Sequence, residues 1–258
     1  VANDRVYIHE FIHIRGLNRA DYMQHMTANW SPTAQEERDQ LCFGVWSVIG
    51  STGRWPEVVN IWELRGWEGL ARGFALEQMG RGGYDPVLER WWARAAELRR
   101  GGVDRILVPA PWTRTIEQLC AAGAGGTCYA HELVRVRPGA AEELLERVRE
   151  GGLPVAETHG WRLVGAWRTA MANDDECLLL WSIPDWAAWT SFERDALGHG
   201  AVRTWRRSLD DIVECWERIL LLDAPLCPLR TGRQPRREDR TDWEDPPGTP
   251  RSNAYPER

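Results

Sequence analysis

Val6-Tyr7-Ile8-His9-Glu10, near the start of the chain, returns as Cys128-Tyr129-Ala130-His131-Glu132, 122 positions later. Trp30-Ser31-Pro32 answers to Gly152-Leu153-Pro154 at the same spacing, and Gly44-Val45-Trp46 to Gly165-Ala166-Trp167 at 121. Trp62 and Trp67 match Trp181 and Trp186 at 119, Arg105-Ile106-Leu107 matches Arg218-Ile219-Leu220 at 113, and Ala110-Pro111 matches Ala224-Pro225 at 114. The order never breaks, and the spacing drifts only as loops gain or lose residues. A chain that repeats itself in this way is expected to build one unit twice, and each segment can be read with two witnesses.

Residues 5–14 and 128–137 alternate and are rich in β-formers, as are 42–49, 163–170, 57–64 and 177–183, so all are expected as strands. Residues 18–40 and 139–159 read as helix interrupted at Pro32 and Pro154, because proline begins a turn more readily than it continues one. Helices follow at 67–78 and 86–99, the latter opened by Asp85-Pro86, and again from Asp185 and over about 200–216. Gly80–Gly83 reads as a turn between helices and not a phosphate cradle. Each unit closes on a short strand, 105–108 or 218–221. The expected division is 1–112, a linker at 113–127 containing a short helix, a second unit at 128–226, and a tail over 227–258. The tail is rich in proline, arginine and acidic residues and poor in aliphatics, so it is expected to be disordered.

The net charge of −6 gives no reason to expect nucleic acid or an anionic membrane as partner. No apolar run is long enough to span a bilayer and no signal-peptide core stands at the N-terminus, which points to a cytoplasmic setting. Six cysteines form no CxxC pair and do not recur between the units, so they are expected as reduced thiols. All 32 basic residues are arginine, which excludes a lysine Schiff base or lysine general base. Sixteen tryptophans imply an aromatic core or a wall for an aromatic ligand.

Alternation sorts the first strand of each unit into two faces. Ile8, Glu10, Ile12 and Ile14 are mostly aliphatic and read as packed on helices; Tyr7, His9, Phe11 and His13 suit an interior. The same split gives Ala130, Glu132, Val134 and Val136 against Tyr129, His131, Leu133 and Arg135. With the faces exchanged, the glutamates would be the acids of the cavity. His9 and His131 are the candidate acid–base groups, with His13, which has no copy in the second unit, as a third; a hydrogen-bonded structural histidine is the competing reading. The midpoints of Trp46 with Trp62 and of Trp167 with Trp181 fall in hairpin turns, so each pair is expected face to face across its hairpin, either as packing or as walls around a flat ligand. Tyr22, Met26, Asn29 and Trp30 share one helix face, and Tyr22, His25 and Asn29 could add polar groups to a site peculiar to the first unit. His9 and His13 are too far apart along a strand to share a metal, no HExxH or other compact ligand set occurs, and no metal is expected.

The strand openings His9-Glu10-Phe11 and His131-Glu132-Leu133-Val134-Arg135-Val136-Arg137-Pro138-Gly139, with the closing strands Ile106–Pro111 and Leu220–Pro225, resemble the NIPSNAP-type proteins of the dimeric α/β-barrel superfamily. The likeness implies an α+β fold of two ferredoxin-like βαββαβ repeats that form the barrel within one chain. It implies a binding place either between a sheet and its helices or inside the barrel. The superfamily includes cofactor-independent monooxygenases, cyclases, isomerases and haem enzymes, so no cofactor is predicted and haem is left open; homo-oligomerisation is left open too. The expectation is a small-molecule enzyme acting without metal on an aromatic or hydrophobic substrate in a Trp-lined cavity. Tyr7, Glu10, Tyr22, His25, Asn29, Trp46, Trp62, Tyr129, Trp167 and Trp181 are its binding candidates. The alternatives are a non-catalytic ligand-binding or scaffolding protein and a haem-binding barrel protein.

Overall fold

The computed structural model describes residues 2–78 and 85–244. Strand β1 (Val6–Ile14) leads into α1 (Arg19–Gln24), a wider π-helical turn at His25–Trp30, and α2 (Ser31–Arg38). Pro32 explains the widened turn: with no N–H to continue the α ladder at that point, Ser31 N–H reaches back to Met26 O instead. The chain continues through β2 (Leu41–Val48), β3 (Glu57–Leu64), α3 (Gly66–Glu77), α4 (Pro86–Leu98) and β4 (Arg99–Pro109). After α5 (Ile116–Ala121), capped by Thr115 and Gln118, the second half has the same order. It comprises β5 (Cys128–Val136), α6 (Ala141–Arg147), a π-helical turn at Val148–Gly152 ahead of Pro154, and α7 (Leu153–Thr158). Then come β6 (Arg162–Thr169), β7 (Glu176–Ile183), α8 (Trp186–Leu197), α9 (Ala201–Arg207) and β8 (Val213–Asp223).

The strands form one closed antiparallel barrel in the order β1-β3-β2-β8-β5-β7-β6-β4. Each half contributes four neighbours, joined at two short seams where β2 meets β8 and β4 meets β6. Closure leaves no unpaired sheet edge. The helices pack outside and leave the leading parts of β4 and β8 exposed.

Several expectations need correction. β4 and β8 begin at Arg99 and Val213, well before 105 and 218, and the helix expected to 216 ends at Arg207. In both hairpins a bulge shifts the register, between Cys42 and Gly44 and between Leu163 and Gly165. The turns themselves set Trp46 opposite Val59 and Trp167 opposite Leu178, and beyond the bulges Trp62 faces Cys42 and Trp181 faces Leu163. The expected tryptophan pairs do not form. The closing strands also align one residue differently: Tyr7 pairs Leu107 and Tyr129 pairs Leu221, so Asp104 answers to Arg218 and Arg105 to Ile219.

The tail is ordered through Glu244 and not disordered from 227. After α10 (Pro228–Thr231), the Gln234 side chain donates to Cys42 O and accepts from Cys42 N, both at 2.9 Å. Arg240 donates to Ala28 O, Asn29 O and Thr33 Oγ1, and Trp243 packs on His25. Beyond Leu229, which is buried in the core, polar side chains pairing with backbone groups hold this segment, which is why its composition misleads. Residues 245–258 and the Gly80–Gly83 turn lie outside the described residues.

Candidate functional site

Tyr7, His9, Phe11 and His13 point into the barrel from β1, as do Tyr129, His131 and Leu133 from β5. One end is solid. Trp46 packs edge-on against Tyr129, and Trp167 against Tyr7 and Phe43 at 5.5 Å, all without exposure. A Cβ on Gly44 or Gly165 would overlap the indole two residues on, so each Gly-x-Trp lets its own ring fold back across the strand. The tyrosine hydroxyls are spent on structural acids: Tyr7 donates to Glu63, which also accepts from Ile116 N at the start of α5, and Tyr129 donates to Asp223. These four binding candidates fill the barrel and line no cavity.

The middle of the barrel holds His9 and His131, with Nε2 atoms 2.9 Å apart and both rings buried. Burial holds the His9 imidazole well below its ordinary range, helped by His131 and Arg105, and pulls His131 down to about 3. Phe11 lies edge-on to both rings, at 4.7 and 5.1 Å, and separates them from the open end.

At that end a cavity of about 520 Å³ is lined by Phe11, Leu133, Ile219, His13, Glu57 and Arg105, with Arg54, Arg218 and Glu217 among the other wall residues. β1 and β3 pair His13 with Glu57 in register, and His13 Nε2 lies 3.2 Å from the carboxylate. Glu57 is 5% exposed, and burial raises its carboxyl although His13 and Arg54 oppose the shift. Arg105 Nε donates to Glu176 at 2.7 Å, while its Nη1 is buried with no partner. Glu57 and Arg105 were not singled out from sequence. Arg105 had been matched to Arg218, and Glu57 gains meaning only from the β1–β3 register. The wall is charged and aliphatic with one aromatic ring; the tryptophan lining expected for this cavity is absent.

Glu10 faces the helices. Its Oε2 accepts from Trp62 Nε1 at 2.8 Å and Asn60 Nδ2 at 2.9 Å, and Asn60 also donates to Tyr22 OH. Burial, with Asp104 beside it, raises the Glu10 carboxyl. Only about 70 Å³ is left between Glu10, Tyr22 and Trp62 and the helices, room for water-sized molecules and not for a polycycle. His25 stacks on Trp91, with Nε2 on Trp91 O and Nδ1 on Asn29 Nδ2. Trp181 donates to Glu132 on the same helix-facing side of the second half.

No family model and no curated protein sequence matches this chain. Solved structures do. An anthrone oxidase-like protein superposes with a TM-score of 0.61 at 11% identity, over 86% of this chain and 93% of its own. A candidate monooxygenase from Lactobacillus acidophilus gives 0.56 at 9%, over 91% and 97%. A candidate chlorite dismutase gives 0.51 at 13%, over 88% and 98%. The chain has the dimeric α/β-barrel fold.

That fold leaves haem open, but five of the six imidazoles of this dimeric α/β barrel do not suit it. His9 and His131 face each other, His25 and His159 have both ring nitrogens engaged, and His199 lies exposed between α8 and α9. His13, on the cavity wall, turns Nε2 to Glu57. Among the described residues no group of three or more His, Cys, Asp or Glu is arranged to hold a metal ion, and no helix is long and apolar enough to cross a membrane.

Proposed function

We propose that this protein is a small-molecule enzyme that moves a proton in the open mouth of its barrel, with His13 as the acid–base group. The observation that carries the reading is the 3.2 Å contact of His13 with buried Glu57 on the wall of the 520 Å³ cavity. A carboxylate that accepts one imidazole N–H leaves the other nitrogen to take a proton and stabilises the imidazolium that results. Arg105, with an unpartnered donor on the same wall, suits the oxygen on which the substrate's electron pair settles. Proton removal to an enolate or phenolate is a step shared by isomerisation, cyclisation and cofactor-free oxygenation, so it is common to the activities the fold hosts. His9 and His131, sealed under Phe11, act here as the rigid floor and not as the reacting pair.

The test is carbon-bound deuterium. Incubated in D2O with a panel of phenols and β-keto acids, the protein should exchange at least one substrate, followed by mass spectrometry. His13→Gln and Glu57→Gln should slow that exchange about 100-fold or more. Exchange unaffected by His13→Gln would sink the reading. The solid tryptophan end and the sealed histidine pair favour the second reading, a non-catalytic ligand-binding protein of NIPSNAP-like type. Descent by tandem duplication of a ferredoxin-like unit belongs with either, supported by bulges and π-helical turns at equivalent places in both halves.

A further inference from the structure

A second cavity, of about 380 Å³, opens on the outer face of the barrel in the second half, between β8 and helices α8 and α9. Trp216 from β8 and Trp189 from α8 supply flat walls, with Leu220 and Val213 beside them and Arg206, Arg218, Glu193 and Asp210 as the charged lining. The acceptors nearest the two guanidinium groups are already taken. Glu132 receives Trp181 Nε1 and Arg218 Nε, the latter at 2.6 Å, and Glu193 receives Arg218 Nη1. Two donors are left over: Arg206 Nε and Trp216 Nε1 are both buried with no partner. They stay close together, because the Arg206 guanidinium lies over the Trp216 ring at 5.4 Å, tethered by Glu132 at 3.8 Å. Unpaired buried donors are costly, and a cationic one beside an indole N–H is satisfied best by a carboxylate or a similar oxygen anion.

The first half shows that the feature is not imposed by the fold. There the residues in register with Trp216 and Arg218 are Gly102 and Asp104, and the space beneath the helices has shrunk to about 70 Å³. The wall, the two arginines and the room occur together in one half. We propose that this cleft binds a planar aromatic acid, its ring against Trp216 and Trp189 and its carboxylate on Arg206 Nε and Trp216 Nε1. The site adjoins the barrel mouth, with Thr52 and Arg218 lining both, but its anchoring groups Arg206, Trp189 and Trp216 line this cleft and not the mouth, so it does not depend on the chemistry assigned there.

Naphthalene-1-carboxylate is the probe, and its neutral counterpart 1-naphthalenemethanol is the control, both titrated calorimetrically into the full chain. The acid should bind at least tenfold more tightly than the alcohol. Arg206→Met should remove most of that preference, and Trp216→Phe, which keeps a ring but loses the N–H, should weaken the acid severalfold. In a 1H–15N spectrum the Trp216 indole N–H, assigned by its loss in Trp216→Phe, should shift with the acid and not with the alcohol. That measurement on the wild type decides the matter even if Arg206→Met does not fold. Equal binding of acid and alcohol overturns the proposal, as does a silent Trp216 indole at saturating acid. Loss of acid binding in His13→Gln also overturns it, because the probe would then sit in the barrel mouth.

Discussion

His9 and His131 meet across the barrel axis with their Nε2 atoms 2.9 Å apart, and one proton at most can lie between them. One ring must present Nε2–H and the other a bare Nε2. An unmet N–H at the buried, unpartnered Nδ1 of His9 would cost more than a lone pair there, so His131 is the ring with the bare Nε2. His9 is then the donor across the gap, and its Nδ1, buried with no partner, is left as a lone pair.

That arrangement survives only while both rings are neutral. His131 titrates near 3 in the folded protein against 6.5 for an ordinary imidazole, chiefly through burial. The unfolded chain binds the extra proton between those values, so the stability due to the pair is whole above pH 6.5 and is lost as pH falls towards 3. Glu10, Glu57 and Glu63, raised by burial, act in the opposite sense. The comparison with His131→Gln isolates the imidazole. Below pH 6.5 the wild type should lose stability relative to that variant by up to about 1.4 kcal/mol per pH unit, read from urea midpoints. A constant difference across that range would rule out the neutral pair.

Gly44→Ala and Gly165→Ala should each cost about 1–3 kcal/mol, because the added methyl overlaps the indole of Trp46 or Trp167 and the ring has no room to move. Near-UV circular dichroism should change with stability, since the displaced rings sit in the aromatic plug. Loss of stability without a near-UV change would mean that the strand, not the indole, had moved.

Which parts of this were legible beforehand follows from the range of the interactions. Period-two alternation placed His9, His13 and His131 inside and Glu10 and Glu132 outside, because strand faces are a local property. The tryptophan pairs failed because the hairpin turns set Trp46 opposite Val59 and Trp167 opposite Leu178, three residues short of Trp62 and Trp181, and the bulge beyond each adds one residue more. Glu57 and Arg105 were missed for a related reason. Their meaning lies in pairing with β1 from far along the chain, and the best sequence match set Arg105 against the wrong partner. Composition read the tail as unable to order, yet Gln234 and Arg240 hold it by hydrogen bonds that a hydropathy argument does not count.

Removing residues 233–258 should loosen the π-helical turn at His25–Trp30. Arg240 satisfies the carbonyls of Ala28 and Asn29, and Trp243 covers His25. Amide hydrogen exchange over 25–34 should quicken at least tenfold in the truncated chain, while β5–β8 should keep their protection. Equal acceleration in the second half would show that the tail supports the whole barrel and not this turn.

Glu10 and Glu132 occupy matching positions, yet their replacement by glutamine should differ. Glu10 takes both of its hydrogen bonds, from Trp62 and Asn60, on Oε2, and Asp104 stands in the register position of Arg218, with Arg99 a weaker opposing charge. A glutamine carbonyl accepts the same two donors, so Glu10→Gln should change stability by less than about 1 kcal/mol. Glu132 instead divides its oxygens, taking Trp181 on Oε2 and Arg218 on Oε1, and it is 1% exposed. Glutamine there turns its amide N–H toward the Arg218 guanidinium, which is itself largely buried and keeps only Glu193 as a partner. Glu132→Gln should therefore cost about 3 kcal/mol. Restoring most of that loss by adding Arg218→Met would identify the stranded cation as the cause. A double variant no more stable than Glu132→Gln would place the loss in the Trp181 hydrogen bond.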